Sequence, residues 1–134
     1  MMFRNKNNIG KLILFFVIQF FALSVLGQNS KQKIVIDTST IKYVKILKTN
    51  TKKAFSYSTK KLNKKQYCAF AQKWNNSKEL GADKFAGKYT VVIILKNKRE
   101  RRFTINNNKI QESGWLTYDL VDKKYFDELW KKCK

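Results

Sequence analysis

The densest set of chemically useful side chains in this 134-residue chain is Lys96-Asn97-Lys98-Arg99-Glu100-Arg101-Arg102, which holds three of its four arginines. Carried on a hairpin tip, Lys96, Lys98, Arg99, Arg101 and Arg102 would grip phosphate or carboxylate, because a guanidinium donates two parallel hydrogen bonds to either group. The plainer reading is a solvated turn whose charges guard the apolar run before it against aggregation. A second run, Lys60-Lys61-Leu62-Asn63-Lys64-Lys65, places positive charge near a helix N-terminus, where it opposes the dipole.

Other chemistry is thin. The chain has no histidine, so a cysteine nucleophile would lack its usual base. There is no metal-ligand cluster, glycine-rich phosphate loop or convincing carboxylate pair. Asp119 and Asp122 are close, but Asp122 reads as a helix cap. Asp127 and Glu128 point to different sides of a helix. Glu79 and Asp83 share a loop and would hold a cation only weakly. The expectation is therefore a protein that is not an enzyme, with no catalytic residue, no metal and no cofactor.

Residues 1–27 read as a secretory signal peptide. Arg4, Lys6 and Lys11 form a basic start, Leu12 to Leu26 is apolar except for Gln19 and Ser24, and Val25 and Gly27 suit a cut before Gln28. The apolar run is short of the ~20 residues that span a bilayer, so an uncleaved anchor is the lesser reading. Export to the periplasm or beyond makes a bridge between Cys68 and Cys133 reasonable, worth about 4 kcal/mol in the chain-entropy picture. The alternative is two separate thiols that pack as small apolar groups.

The chain from Gln28 carries 26 Lys+Arg against 9 Asp+Glu, a formal +17. Such a charge speaks of partners and solubility rather than of fold. It points to an anionic envelope polymer, a membrane surface or an acidic protein. The abundance of Lys, Asn and Ile is also what an AT-rich coding sequence writes by default. Tyr43, Tyr57 and Trp115 are the aromatics that suit a surface, and bases interleaved with aromatics stack on single-stranded nucleic acid. Export and the excess of Lys over Arg argue against that partner.

The elements that must position these groups centre on Tyr89-Thr90-Val91-Val92-Ile93-Ile94-Leu95. It has strand length, and its apolar residues fall on both parities, which predicts cover on both faces. Ile41 to Leu47 reads as a strand, and Ala54 to Lys60 as a half-buried outer strand with Phe55, Tyr57 and Thr59 on one parity and Ser56 and Ser58 on the other. Lys33–Ile36 is a possible further short strand. Asn63 and Gln66 form a capping box, and Tyr67, Phe70, Ala71 and Trp74 make one apolar helix face, with Cys68 at its edge. Asn75 to Lys88 reads as irregular, pinned to the core by Phe85.

A turn near Asn97-Lys98 joins the central strand to Arg101–Ile105. A two- or four-residue loop would put Phe103 on the face of Val92, and a three-residue loop would put it on the face of Ile93. A two-residue loop at Asn107-Asn108 sets Ile105 opposite Ile110. Gly114 interrupts the next strand, and Asp122 opens a last helix whose Phe126, Leu129, Trp130 and Cys133 face inward. The expected fold is a single α+β domain over residues 28–134. It is a two-layer antiparallel sheet of about five strands in the order β-β-α-β-β-β-α, with both helices on one face.

Two functions of different class follow. One is an exported non-catalytic binding protein whose basic surface docks on an anionic cell-envelope component. The other is a periplasmic inhibitor or immunity-type protein that plugs one acidic partner. Diffuse charge favours the first, and a projecting Lys96–Arg102 wedge favours the second.

Overall fold

The structure is a computed structural model that describes residues 32–114 and 116–134. The expected signal peptide and Trp115 lie outside the described residues. The second of two compact units runs from Val35 to Lys134. Among the described residues the core runs from Ile36 to Cys133.

The fold is α+β, built on one antiparallel sheet. A 3-10 turn over Thr38–Thr40 leads into β1 (Ile41–Thr49), β2 (Tyr57–Leu62), helix α1 (Lys64–Asn75), β3 (Lys78–Ala82), β4 (Tyr89–Leu95), β5 (Glu100–Asn106), β6 (Lys109–Glu112), β7 (Leu116–Asp119) and helix α2 (Tyr125–Lys132). The strands lie in the order β2-β1-β4-β5-β6-β7-β3, so β4 sits near the middle and β2 and β3 form the edges.

Seven strands replace the expected five. β3 arises inside the stretch expected to be irregular. It pairs with β7 around a bulge at Leu80, where Gly81 supplies φ 103°. Its side chains are mostly exposed, so backbone pairing alone defines it and no apolar alternation announces it. The interruption at Gly114 (φ 120°) divides the following stretch into β6 and β7. Lys33–Ile36 forms no strand. There Ile36 alone is buried, and its backbone is held by Asn75, whose Oδ1 accepts from Ile36 N at 2.7 Å and whose Nδ2 donates to Ile36 O at 3.1 Å.

β4 organises the core much as its composition implies. Tyr89, Val91 and Ile93 face the helices. In register beside them stand Ile46 and Val44 of β1, and Ile105 and Phe103 of β5. Val92 points the other way yet is also buried, flanked in register by Lys45 and Arg102, whose aliphatic stems suit an apolar neighbour.

The helices bring aromatic rings to the Tyr89–Ile93 face. Phe70 meets Phe103 edge to face at 5.4 Å and Phe126 at 5.9 Å, and Trp74 meets Phe103 at 5.0 Å and Tyr118 at 4.9 Å. Rings prefer this geometry because the positive edge of one meets the negative face of the other. α1 starts as expected. Asn63 Oδ1 accepts from Gln66 N at 2.9 Å, and Gln66 Oε1 accepts from Asn63 N at 2.8 Å.

α2 departs from expectation at its start. It begins at Tyr125 after Lys124, with no side-chain cap. Asp122 accepts from Lys124 N and so closes the turn before the helix instead of the helix itself. The Tyr125 hydroxyl is buried with no hydrogen-bond partner among the described residues. Burial, with Cys133 and Asp122 nearby, pushes its ionisation up to about 12.

Two substitutions test this packing in urea denaturation. Phe103→Ala is expected to cost about 3–5 kcal/mol, since its ring is fully buried between two others. Tyr125→Phe should be neutral or stabilising by up to about 1 kcal/mol, since it removes a buried hydroxyl that makes no bond. A clear loss for Tyr125→Phe would mean that the hydroxyl has a partner.

Candidate functional site

The Lys96–Arg102 cluster lies where expected but does not act as one unit. The loop is three residues long. Leu95 N donates to Arg99 O at 2.9 Å, Lys98 takes φ 70°, and Asn97 Oδ1 accepts from Arg99 N. Three residues put Phe103 opposite Val91 and on the face of Ile93. Parity then turns Arg101 to the helix side. Its Nε and Nη2 donate to Glu112 at 2.5 and 2.7 Å, and its Nη1 donates to Val35 O at 2.9 Å. Arg102, on the other face, pairs with Glu100. Lys96, Lys98 and Arg99 stay exposed. Lys96 also helps hold the Asp37 carboxyl below its usual range, after the larger effect of the Ser39 hydrogen bonds.

The unbalanced charge lies elsewhere. Residues 38–78 contain eleven lysines and no acid. Its strands β1 and β2 form one edge of the sheet, its helix α1 reaches across to β5 and β7, and its last residue, Lys78, opens β3 at the other edge. Lys45 and Lys61 stand directly opposite each other in the β1–β2 register, an arrangement that repels. Neither has an ion-pair partner among the described residues.

Together with Tyr43, Thr59, Lys60 and Lys134 they line a depression of about 310 Å³. The Lys61 ammonium lies 5.5 Å from the Tyr43 ring centre. Lys60 is engaged on the helix side, where its ammonium donates to Trp130 O at 2.9 Å and lies 4.6 Å from the Trp130 ring. Lys60 on the helix side thus has a backbone and a ring partner, whereas Lys45 and Lys61 on the opposite face of the hairpin have no carboxylate paired with them among the described residues.

β2 also departs from expectation. The expected half-buried alternation is absent: Phe55, Tyr57 and Thr59 are all exposed, Tyr57 as its surface reading has it, and the buried residue is Leu62 at the far end. Phe55 precedes the strand with φ 61°, which breaks the alternation that the sequence suggested.

The carboxylates serve local structure. Asp127 accepts from Lys88 at 2.7 Å and from the Tyr89 hydroxyl at 2.6 Å. These bonds hold its carboxyl below the ordinary range, while burial, and then Asp127, push the Tyr89 phenol up. Asp83 pairs with Lys109 at 2.5 Å rather than with Glu79. No group of three metal-ligating side chains occurs among the described residues. A depression of about 640 Å³ beside Asp83 is lined by Lys84, Phe85, Ala86, Gln111 and Gly114. Phe85 sits half-buried there and is not part of the core that it was expected to join.

Cys68 and Cys133 are free thiols, and no bridge joins them. Cys133 is buried just past the end of α2, where burial pushes its thiol up. Cys68 remains at the half-exposed edge of the α1 stripe, so only one of the two faces the core fully.

No family model matches the chain, and no curated protein or solved structure matches it either. The basic edge was nevertheless readable. Its signal is the absence of acids over 41 residues, which is longer and more diffuse than the dense local run Lys96–Arg102.

The two arginine pairs should differ sharply. The Arg101–Glu112 side chains are only 15% and 17% exposed, against 62% and 40% for Arg102–Glu100. Glu112→Gln is expected to cost about 2–3 kcal/mol by leaving a half-buried guanidinium short of its counter-charge, and Glu100→Gln less than about 1 kcal/mol. Equal losses in chemical denaturation would contradict the assignment of Arg101 to structure.

Proposed function

We propose that this is an exported, non-catalytic binding protein that docks a basic surface on an anionic component of the cell envelope. The observation that carries the reading is the acid-free stretch from 38 to 78, whose strands β1 and β2 form one edge of the sheet with Lys45 opposite Lys61. Like charges facing each other across strands cost stability. An anionic group seated between them turns that repulsion into attraction, and the depression with Tyr43 and Thr59 has room for one. The export half of the reading rests on the basic start and apolar run of residues 1–27.

The alternative, a periplasmic inhibitor or immunity-type protein for one acidic partner, leaned on the Lys96–Arg102 wedge. Glu112 and Glu100 engage two of its arginines, so the tip offers less concentrated charge than its sequence suggests. Support therefore moves to the diffuse reading. Binding of that kind weakens as salt shortens the Debye length from ~10 Å at 0.1 M.

Fluorescence anisotropy with labelled polyphosphate, using the chain from Gln28, tests this. Affinity should fall steeply with salt. Lys45→Gln/Lys61→Gln should weaken it about thirtyfold, taking roughly 1 kcal/mol for each lysine near an anionic surface. Lys98→Gln/Arg99→Gln should weaken it less. Capture from an envelope extract of a single acidic protein that survives high salt would instead favour the inhibitor.

A further inference from the structure

Three of the exposed large apolar side chains gather in or beside loops at one end of the sheet. Phe55 is 96% exposed, Val121 81% and Tyr57 56%. Phe55 lies in the β1–β2 loop, Tyr57 opens β2, and Val121 follows β7. The registers put them at the same end. Thr49 pairs with Tyr57, Lys48 with Tyr89, Tyr89 with Ile105, and Lys109 with Asp119. Four strand spacings separate β1 from β7, roughly 19 Å at ~4.8 Å each.

Both extreme residues are held outward by backbone that side chains avoid. Phe55 has φ 61° and Val121 φ 69°. Asn50 N donates to Ser56 O at 2.9 Å and closes the first loop. Asp122 N donates to Leu120 O at 2.8 Å across Val121, a tight γ-turn of the rare positive-φ kind. A β-branched residue in that region is a genuine outlier. Left-handed positions normally go to Gly or Asn. Here large apolar groups occupy them and face water.

Exposed lysines flank each one, Lys52 and Lys53 beside Phe55 and Lys123 and Lys124 beyond Val121. The acids at this end are tied down. Asp119 accepts from Asn108 and Val121 N, Asp122 from Lys124 N, and Asp127 from Lys88 and Tyr89.

We propose that this end of the sheet docks on an anionic bilayer surface, with Phe55 and Val121 entering the interfacial layer and Lys52, Lys53, Lys123 and Lys124 meeting lipid phosphates. Apolar tips with basic flanks match a boundary that is apolar below and negatively charged above. Two tips some 19 Å apart suit a plane better than a pocket. The inference rests on the anionic-docking reading and specifies its partner.

Co-sedimentation of the chain from Gln28 tests it, with vesicles of phosphatidylcholine alone and with a quarter phosphatidylglycerol. The wild type should bind the anionic vesicles and keep part of that binding at high salt. Phe55→Ser/Val121→Ser should reduce it about tenfold with an unchanged unfolding midpoint, because both side chains are exposed. Lys52→Gln/Lys53→Gln should reduce the low-salt binding. Equal binding by wild type and Phe55→Ser/Val121→Ser overturns the proposal, as does equal binding to both vesicle types. Binding to polyphosphate but to neither vesicle overturns it and leaves the broader reading standing. Binding to none overturns both.

Discussion

The three-residue turn between β4 and β5 is the constraint on which most of this structure depends. Side chains alternate faces along a strand, so a loop one residue longer or shorter would send Phe103 outward and turn Arg102 under the helices. The turn is held by Leu95 N on Arg99 O, by Asn97 bonding its own loop, and by Lys98 in the left-handed region. A type I turn followed by such a residue is the usual three-residue hairpin solution. With this parity Phe103 slots between Phe70 and Trp74. Arg101 then falls on the helix side, where Glu112 and Val35 O take its donors. Core packing and the fate of the arginine cluster thus follow from one loop length.

Charge is segregated as a further consequence. Arg101, Arg102, Lys109 and Lys88 take Glu112, Glu100, Asp83 and Asp127. None of these acids lies in β1, β2 or α1. The lysines of that edge find either an aromatic partner, as Lys60 does on Trp130, or none with opposite charge among the described residues. A domain selected only for stability would intersperse the two signs. Abundant lysine by itself would not decide which elements the acids occupy.

What was legible in the sequence was local. The Asn63–Gln66 box, the Phe70-Ala71-Trp74 stripe, the central strand and the Ile105–Ile110 pair each depend on residues a few positions apart. What was illegible depends on distant pairing. β3 exists because β7 lies beside it, and its Lys-Glu-Leu-Gly-Ala carries no strand pattern of its own. The turn length that places Phe103 is decided by fit to the core, and the turn residues admit more than one answer. Asp122 has the type and position of a helix cap, yet it closes the preceding turn. Within the candidate site, the lysines were visible as residues, but their facing across β1 and β2 required the register.

Phe55 misled the sequence reading for a related reason. Its side-chain type fits an inward strand position, and only its backbone shows otherwise. The chain has ordinary means of making left-handed positions. It uses Gly81 and Gly114 where strands bulge or stop, Asn107 and Lys98 where hairpins turn, and Ser113 just before Gly114. At Phe55 and Val121 it uses residues that cost more there, on the order of 1–2 kcal/mol for an unfavourable left-handed conformation. Burial cannot repay that cost, since both side chains face solvent. Local rules are broken in natural proteins chiefly where function asks for it. The two departures share one end of the sheet, each with a pair of exposed lysines alongside. Lys98 takes the same backbone region at the opposite end of the sheet, where the three-residue hairpin calls for it, so what sets Phe55 and Val121 apart is that neither a hairpin of that kind nor burial offsets their cost.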